Sequence, residues 1–264
     1  MLEFKLMENV NKTLYIPLYG KVYVSAKGII LQDKKAEEIW SASNFTLKGK
    51  SKSKWLAYYM GMRASVFDLW SEEKLKEDKD SIVIHIGCGL DSRVLRVNPQ
   101  NSIWYDIDFP SVITERQKHY KESDTYHMIG GDAKDPSWLT DIKETKSAVV
   151  IMEGISMYLD KESIENLFAT LSSHFDNVSV LMDAYSTLGA KASKYKNPIN
   201  DVGVRSVFGF DDPAIFGLSF IKEHSMTPDE KIKELPRKEQ KIFKMLYAGN
   251  FAKKIYRIYE YSKR

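Results

Sequence analysis

The sequence predicts an α/β fold built on an open, mostly parallel sheet with helices on both faces. Three observations predict it. Residues 82–86, Ile-Val-Ile-His-Ile, are a short apolar run that stops at Gly87-Cys88-Gly89, as a buried parallel strand does when it leaves its sheet. Strand-like runs alternate with helical periodicity from residue 81 to 183, which argues for parallel strands joined by crossover helices. Several of the runs close on carboxylates (Asp106 and Asp108, Glu153), and the carboxyl ends of parallel strands are where such sheets bind ligands.

Composition narrows the class. The chain has 264 residues, 43% of them hydrophobic, enough for a substantial core. Its 39 basic and 36 acidic residues leave a net charge of +3, which gives no electrostatic footprint for nucleic acid. A single cysteine forms no intrachain disulfide and fits a reducing compartment. No apolar run approaches the roughly 20 residues of a membrane helix, and MLEFKLMENVNK lacks the apolar centre of a secretory signal. The expectation is a cytoplasmic protein with no membrane and no nucleic-acid partner. Histidines 85, 119, 127, 174 and 224 are scattered without metal-ligand spacing, so no metal is expected.

In chain order, residues 13–30 are apolar and aromatic but broken by Pro17, Gly20 and Gly28, which argues against a long element. Asp33 is placed to cap a helix from Lys34 to Ala42. The alternating lysines of KGKSKSK read as a solvated loop. Residues 54–76 predict a helix whose apolar face carries Trp55, Tyr59, Met62, Val66 and Leu69, with Arg63 at its border. A short helix is expected before Pro99, a strand over 102–108, a helix from Pro110 or Ser111 to Lys121, and a strand over 125–129. Ser147–Met152 reads as a fourth strand, Asp160 as the cap of an amphipathic helix, and Asn177–Met182 as a fifth strand. Residues 186–215 break the rhythm and read as an insertion over the ligand crevice, where Tyr195 and Arg205 are candidate acceptor contacts. A strand over 217–221, a helix over 236–247 and an antiparallel final strand complete the chain.

The candidate site follows from these positions. Gly87 and Gly89 supply the tight turn and the close backbone approach that a nucleotide-type cofactor needs. The dinucleotide pattern is incomplete, because Ser92 stands where its third glycine belongs and Asp91 would repel a pyrophosphate. A phosphate-free, cationic ligand suits that turn better, and S-adenosylmethionine is one. Asp106 and Asp108 follow Gly89 by 17 and 19 residues, the spacing at which a carboxylate accepts hydrogen bonds from a ribose diol. Asp132 reads either as an acceptor for an adenine amine or as a local Asx turn.

GCGLDSR at 87–93, YDIDFP at 105–110, GGDAKD at 130–135, EGISMYL at 153–159, Arg63 with Phe67-Asp68, and LYIPLYGK at 14–21 together resemble the leucine carboxyl methyltransferase family, in its bacterial polyketide-type O-methyltransferase branch. The resemblance implies a Rossmann-like class I methyltransferase with seven strands, the last antiparallel. Its parts would be an N-terminal helical cap (1–78), a cofactor core (79–185), a lid (186–215) and C-terminal elements (216–264) within one domain. It implies S-adenosylmethionine as cofactor, S-adenosylhomocysteine as product and a small-molecule acceptor methylated on a carboxylate or phenolic oxygen. By position, Gly87 and Gly89 would border the methionine moiety, Asp108 with Asp106 close by would hold the ribose, and Asp132 and the Ala133 amide would meet the adenine. Glu153 would lie near the ammonium or sulfonium, Arg63 and Lys21 would bind the methionine carboxylate, and Tyr158 would approach the acceptor. Protein C-terminal methylation and a non-catalytic cofactor-binding role are the alternatives. The sequence names no catalytic base.

Overall fold

The alternation along the chain becomes a seven-stranded sheet in the computed structural model, which describes residues 14–263 apart from 44, 48, 100, 144 and 197–206. Helices α1 (Tyr15–Ser25), α2 (Lys34–Ala42) and α3 (Lys54–Glu77) come first. Strand β1 (Ile82–Ile86) leads to α4 (Arg93–Arg96), β2 (Trp104–Asp108), α5 (Pro110–Arg116), β3 (Tyr126–Gly130), β4 (Ser147–Met152), α6 (Lys161–His174) and β5 (Asn177–Tyr185). After α7 (Thr187–Lys196) come β6 (Ser219–His224), α8 (Asp229–Lys233), α9 (Arg237–Tyr247), α10 (Asn250–Lys253) and β7 (Tyr256–Lys263).

The strands lie in the order β3-β2-β1-β4-β5-β7-β6. Strands β1 to β5 run parallel, and β7 runs antiparallel to both β5 and β6. Seven strands with an antiparallel last strand are what the resemblance implies. The order reverses between β1 and β4, so the loops leaving these two strands part and open a crevice at their carboxyl ends. Strand alternation sorts β1 between two cores. Val83 packs on one face with Leu18 of α1 and Tyr58, Met62, Phe67 and Trp70 of α3. Ile82, Ile84 and Ile86 pack on the other with Leu167, Phe168 and Leu171 of α6.

Several boundaries follow the sequence. Asp33 caps α2 by accepting from Ala36 N at 2.8 Å, and Asp160 caps α6 by accepting from Ser163 N at 2.8 Å. Others differ for physical reasons. Residues 15–25 form a continuous helix: Pro17 sits in its first turn, where a missing N–H costs nothing. Gly20 serves a close helix crossing, since a Cβ there would stand 2.7 Å from Met60 Cβ of α3. Leu69 is 48% exposed, because α3 turns Tyr58, Phe67 and Trp70 inward instead. Helix α5 stops at Arg116, five residues short of the expected Lys121, and β5 runs on to Tyr185, so Asp183 lies inside the strand. Among the described residues, no helix is long and apolar enough to cross a membrane.

Candidate active site

The turn after β1 needs its glycines. Gly87 has φ +71° and Gly89 φ +52°, a region that penalises any Cβ. A Cβ on Gly87 would also stand 2.7 Å from Ile155 Cδ1. Asp108, at the last position of β2, reaches across to this turn. Its Oδ2 accepts from Gly89 N at 2.8 Å and its Oδ1 from Phe109 N at 2.8 Å. Burial pushes this carboxyl up to about 6, against the pull of those two N–H groups. Such a carboxylate retains lone pairs, and hydroxyl donors from a diol would stabilise its charged form. Asp132 and Ala133 follow β3; Asp132 Oδ1 accepts from Lys134 N at 2.9 Å in an Asx turn, and Ala133 is buried.

Asp106 departs from the expectation of a place beside the ribose. It is 0% exposed, two residues earlier on β2, beneath the crevice rather than in it. Its oxygens accept from Trp104 Nε1 at 2.9 Å and Tyr126 OH at 2.7 Å and pair with Arg116. Arg116 in turn donates to the Gly89 carbonyl at 2.9 Å. Asp106 therefore acts on the crevice through Arg116, by fixing the glycine turn.

Lys21, Arg63 and Glu153, far apart in sequence, meet in one buried ionic network. Lys21 Nζ lies 2.9 Å from Asp91 Oδ2, and Asp91 Oδ1 lies 2.9 Å from Arg96 Nη1. Arg93 Nε contacts Asp68 Oδ1 at 2.7 Å, and its Nη2 pairs with Glu153. Arg63 Nε donates to Glu153 Oε1 at 2.9 Å, and its Nη1 to Asp183 Oδ2 at 2.9 Å and to Tyr256 OH at 3.0 Å. Burial opposes the charge of Glu153, but Arg63 and Arg93 overcome it and hold the carboxyl at about 2. Burial likewise opposes the charge of Asp91, yet Arg93, Arg96 and Lys21 hold it well below the usual carboxylate range. The negative charge of Asp91 is thus spent inside the protein, so its value as a repellent for pyrophosphate is smaller than the sequence suggested.

Beyond Arg63 opens a cavity of about 400 Å³ lined by Tyr59, Tyr158, Tyr185, Tyr247 and Tyr256 among apolar side chains. Tyr185 and Tyr256 stack at 4.4 Å between ring centroids, and Tyr59 and Tyr247 lie 5.2 Å apart. Gly154 lies beside the guanidinium of Arg63: its φ of +76° favours glycine, and a Cβ there would meet Nη1 and Nη2 at 3.5 Å, an ordinary contact distance. Helix α7, the first part of the expected lid, walls the cavity with Gly189, Ala192 and Ser193. The side chain of Tyr195 and all of Arg205 lie outside the described residues. Sequence reasoning did not single out Tyr185 and Tyr256, which line this cavity, or Asp183, which pairs with Arg63. The signal for Asp183 was present, since it follows an apolar run as Glu153 does; the two tyrosines carried none.

The residues fit the proposed cofactor by the chemistry of their donors and acceptors: a strand-end carboxylate, two left-handed glycines, and two cations beside carboxylates. Among the described residues, no group of three or more His, Cys, Asp or Glu side chains is placed to hold a metal ion. The leucine carboxyl methyltransferase model matches residues 9–172, more than half of the chain. The chain belongs to the leucine carboxyl methyltransferase family. The chain is 31% identical over 170 residues to the tetracenomycin polyketide synthesis O-methyltransferase TcmP of Streptomyces glaucescens, covering 62% of this chain and 63% of that one. The match therefore spans less than two thirds of TcmP. The S-adenosyl-L-methionine-dependent methyltransferase dpfgK of Gibberella zeae is 25% identical over 230 residues, 78% of this chain and 77% of its own. Among solved structures, magnesium protoporphyrin IX methyltransferase of Synechocystis PCC 6803 with bound S-adenosylhomocysteine aligns with TM-score 0.49 at 13% identity, covering 88% of this chain and 94% of that one.

Proposed function

We propose that this protein is an O-methyltransferase that methylates a carboxylate or phenolic oxygen of a small molecule. The observation that carries the reading is the aromatic cavity with a guanidinium in its wall: the tyrosines suit a flat apolar body, and Arg63 suits an oxygen that bears or develops negative charge. The name of TcmP, an O-methyltransferase of polyketide synthesis, supports the same reading, and that of dpfgK supports the methyl donor alone. S-adenosylmethionine supplies a sulfonium-bound methyl group, so the protein's task is to align the acceptor oxygen and exclude water.

In this reading Asp108 accepts from the ribose hydroxyls, and Asp132 and the Ala133 N–H meet the adenine. Gly87 and Gly89 border the methionine moiety. Lys21 and Arg63 draw its carboxylate, and Glu153 faces its positive end. Arg63 stands at the boundary between cofactor and acceptor, because Glu153 holds one edge of it and the cavity opens beside another. Tyr158 presents its ring to the acceptor.

The test incubates the protein with methyl-labelled S-adenosylmethionine and a panel of aromatic carboxylic acids and phenols, with a peptide ending in a free carboxylate as a separate arm. Label recovered as a small-molecule methyl ester or ether supports the proposal. Label on the peptide alone would replace it with protein methylation. Binding of S-adenosylhomocysteine without transfer to any acceptor would favour a regulatory role.

A further inference from the structure

We propose that Tyr256 and Asp183 form a proton relay that accepts the proton of a phenolic acceptor held in the aromatic cavity. The proposal rests on the reading of that cavity as the acceptor site. A carboxylate acceptor is already ionised at neutral pH, whereas a phenol, with pKa about 10, has to lose a proton as it is methylated.

The two residues sit on neighbouring strands, Asp183 on β5 and Tyr256 on β7. Tyr256 OH donates to Asp183 Oδ2 at 2.7 Å. Arg63 Nη1 donates to the same phenolic oxygen at 3.0 Å. A phenolic oxygen has one proton and two lone pairs. Tyr256 commits the proton and one lone pair to these partners, so one lone pair remains for an acceptor hydroxyl. Tyr256 and Arg63 both border the cavity. Asp183 is 0% exposed, and its Oδ1 accepts from Gly154 N at 2.7 Å. It therefore meets the cavity through Tyr256.

The groups facing Asp183 are Arg63 and Tyr59 of α3, Glu153 and the Gly154 N–H after β4, and Tyr256 of β7. Burial pushes the Asp183 carboxyl upward and the nearby Glu153 charge adds to this, against the pull of Arg63. Burial also pushes the Tyr256 hydroxyl well up, so Tyr256 passes a proton on rather than standing as a phenolate. In the step, the acceptor proton moves to the Tyr256 oxygen as the proton Tyr256 held moves to Asp183 Oδ2. Tyr256 begins and ends neutral, and Asp183 ends as a carboxylic acid. The acceptor oxygen uses the freed electron pair to bond the methyl carbon, and the bond that breaks leaves its pair on sulfur. Asp183 returns the proton to solvent after product leaves.

The test uses 4-nitrophenol, whose phenolate absorbs in the visible, with the full chain saturated with S-adenosylhomocysteine below the pH at which the free phenol ionises. The expected result is a phenolate band on binding, which Asp183→Asn and Tyr256→Phe each abolish. The melting shift with S-adenosylhomocysteine reports that each variant is folded, and Tyr256→Phe removes only one oxygen if Asp183→Asn does not fold. The sign discriminates between causes. If the Arg63 charge alone ionised the phenol, removing the neighbouring Asp183 charge would strengthen the band, and that result, or an unchanged band, overturns the relay. If 4-nitrophenol binds without ionising, the relay alone fails; if it does not bind at all, the acceptor-site reading falls with it.

Discussion

The backbone N–H of Gly89 donates to the carboxylate of Asp108 at 2.8 Å, joining the turn after β1 to the end of β2. The contact aims a carboxylate into the crevice while burial raises its pKa to about 6. The ionised form accepts more hydrogen bonds, so affinity for S-adenosylhomocysteine should rise as pH climbs through about 6. Stability of the free protein should move the other way. The folded state holds this proton more tightly than the unfolded chain, so stability falls as pH rises from the ordinary carboxylate range toward 6. Calorimetry across that window checks the affinity; Asp108→Asn should flatten the profile and weaken binding by roughly ten- to a hundredfold.

Glu153 holds Arg63 and Arg93 together in a buried site. Glu153→Gln leaves two guanidinium groups facing a neutral amide, which should cost about 3–5 kcal/mol in urea unfolding. Arg63→Met should cost a similar amount by stranding Glu153 and Asp183. The double variant should lose clearly less than the sum, because both changes dismantle one interaction. Strict additivity would mean that the network is not a unit.

Gly87→Ala places a side chain at φ +71° and its Cβ 2.7 Å from Ile155. Strain of about 1–2 kcal/mol is expected, with a marked loss of S-adenosylhomocysteine binding. Gly249→Ala is the control, since its nearest neighbour would be 3.5 Å from the new Cβ. That variant should unfold within about 0.5 kcal/mol of the parent.

Glu260, on β7, takes a hydrogen bond from His224 at 2.7 Å and an ion pair from Lys74 at 3.1 Å. Burial works against its charge, but these partners prevail and hold the carboxyl at about 2. The stabilisation is complete above the ordinary glutamate pKa and is lost as pH falls through about 2. The melting temperature of the parent should therefore drop more steeply below about pH 4 than that of Glu260→Gln. Parallel acid-melting curves check this.

The sheet was legible because apolar runs, their glycine turns and their terminal carboxylates are local signals, and β1, β4 and α6 fall where periodicity put them. Helix α1 was hidden because Gly20, read as a break, serves a contact with Met60 that only tertiary structure creates. Asp106 and Asp108 look equivalent in sequence, being two residues apart on one face. Two residues is also the difference between lying beneath the crevice and ending at it. Tyr256 and Asp183 are 73 residues apart and become partners through antiparallel pairing, which no spacing rule reveals.

Strand β7 lies between β5 and β6, although β6 precedes it in the chain. On the ribosome, β6 thus emerges before it has a neighbour to bind, and β5 waits with an open edge until the later strand arrives. Such long-range closure slows folding and leaves two unpaired edges available to other chains meanwhile. Tyr256, the residue through which the cavity meets Asp183, takes its place only with that insertion, so the nascent protein completes its aromatic cavity at the last step of sheet assembly.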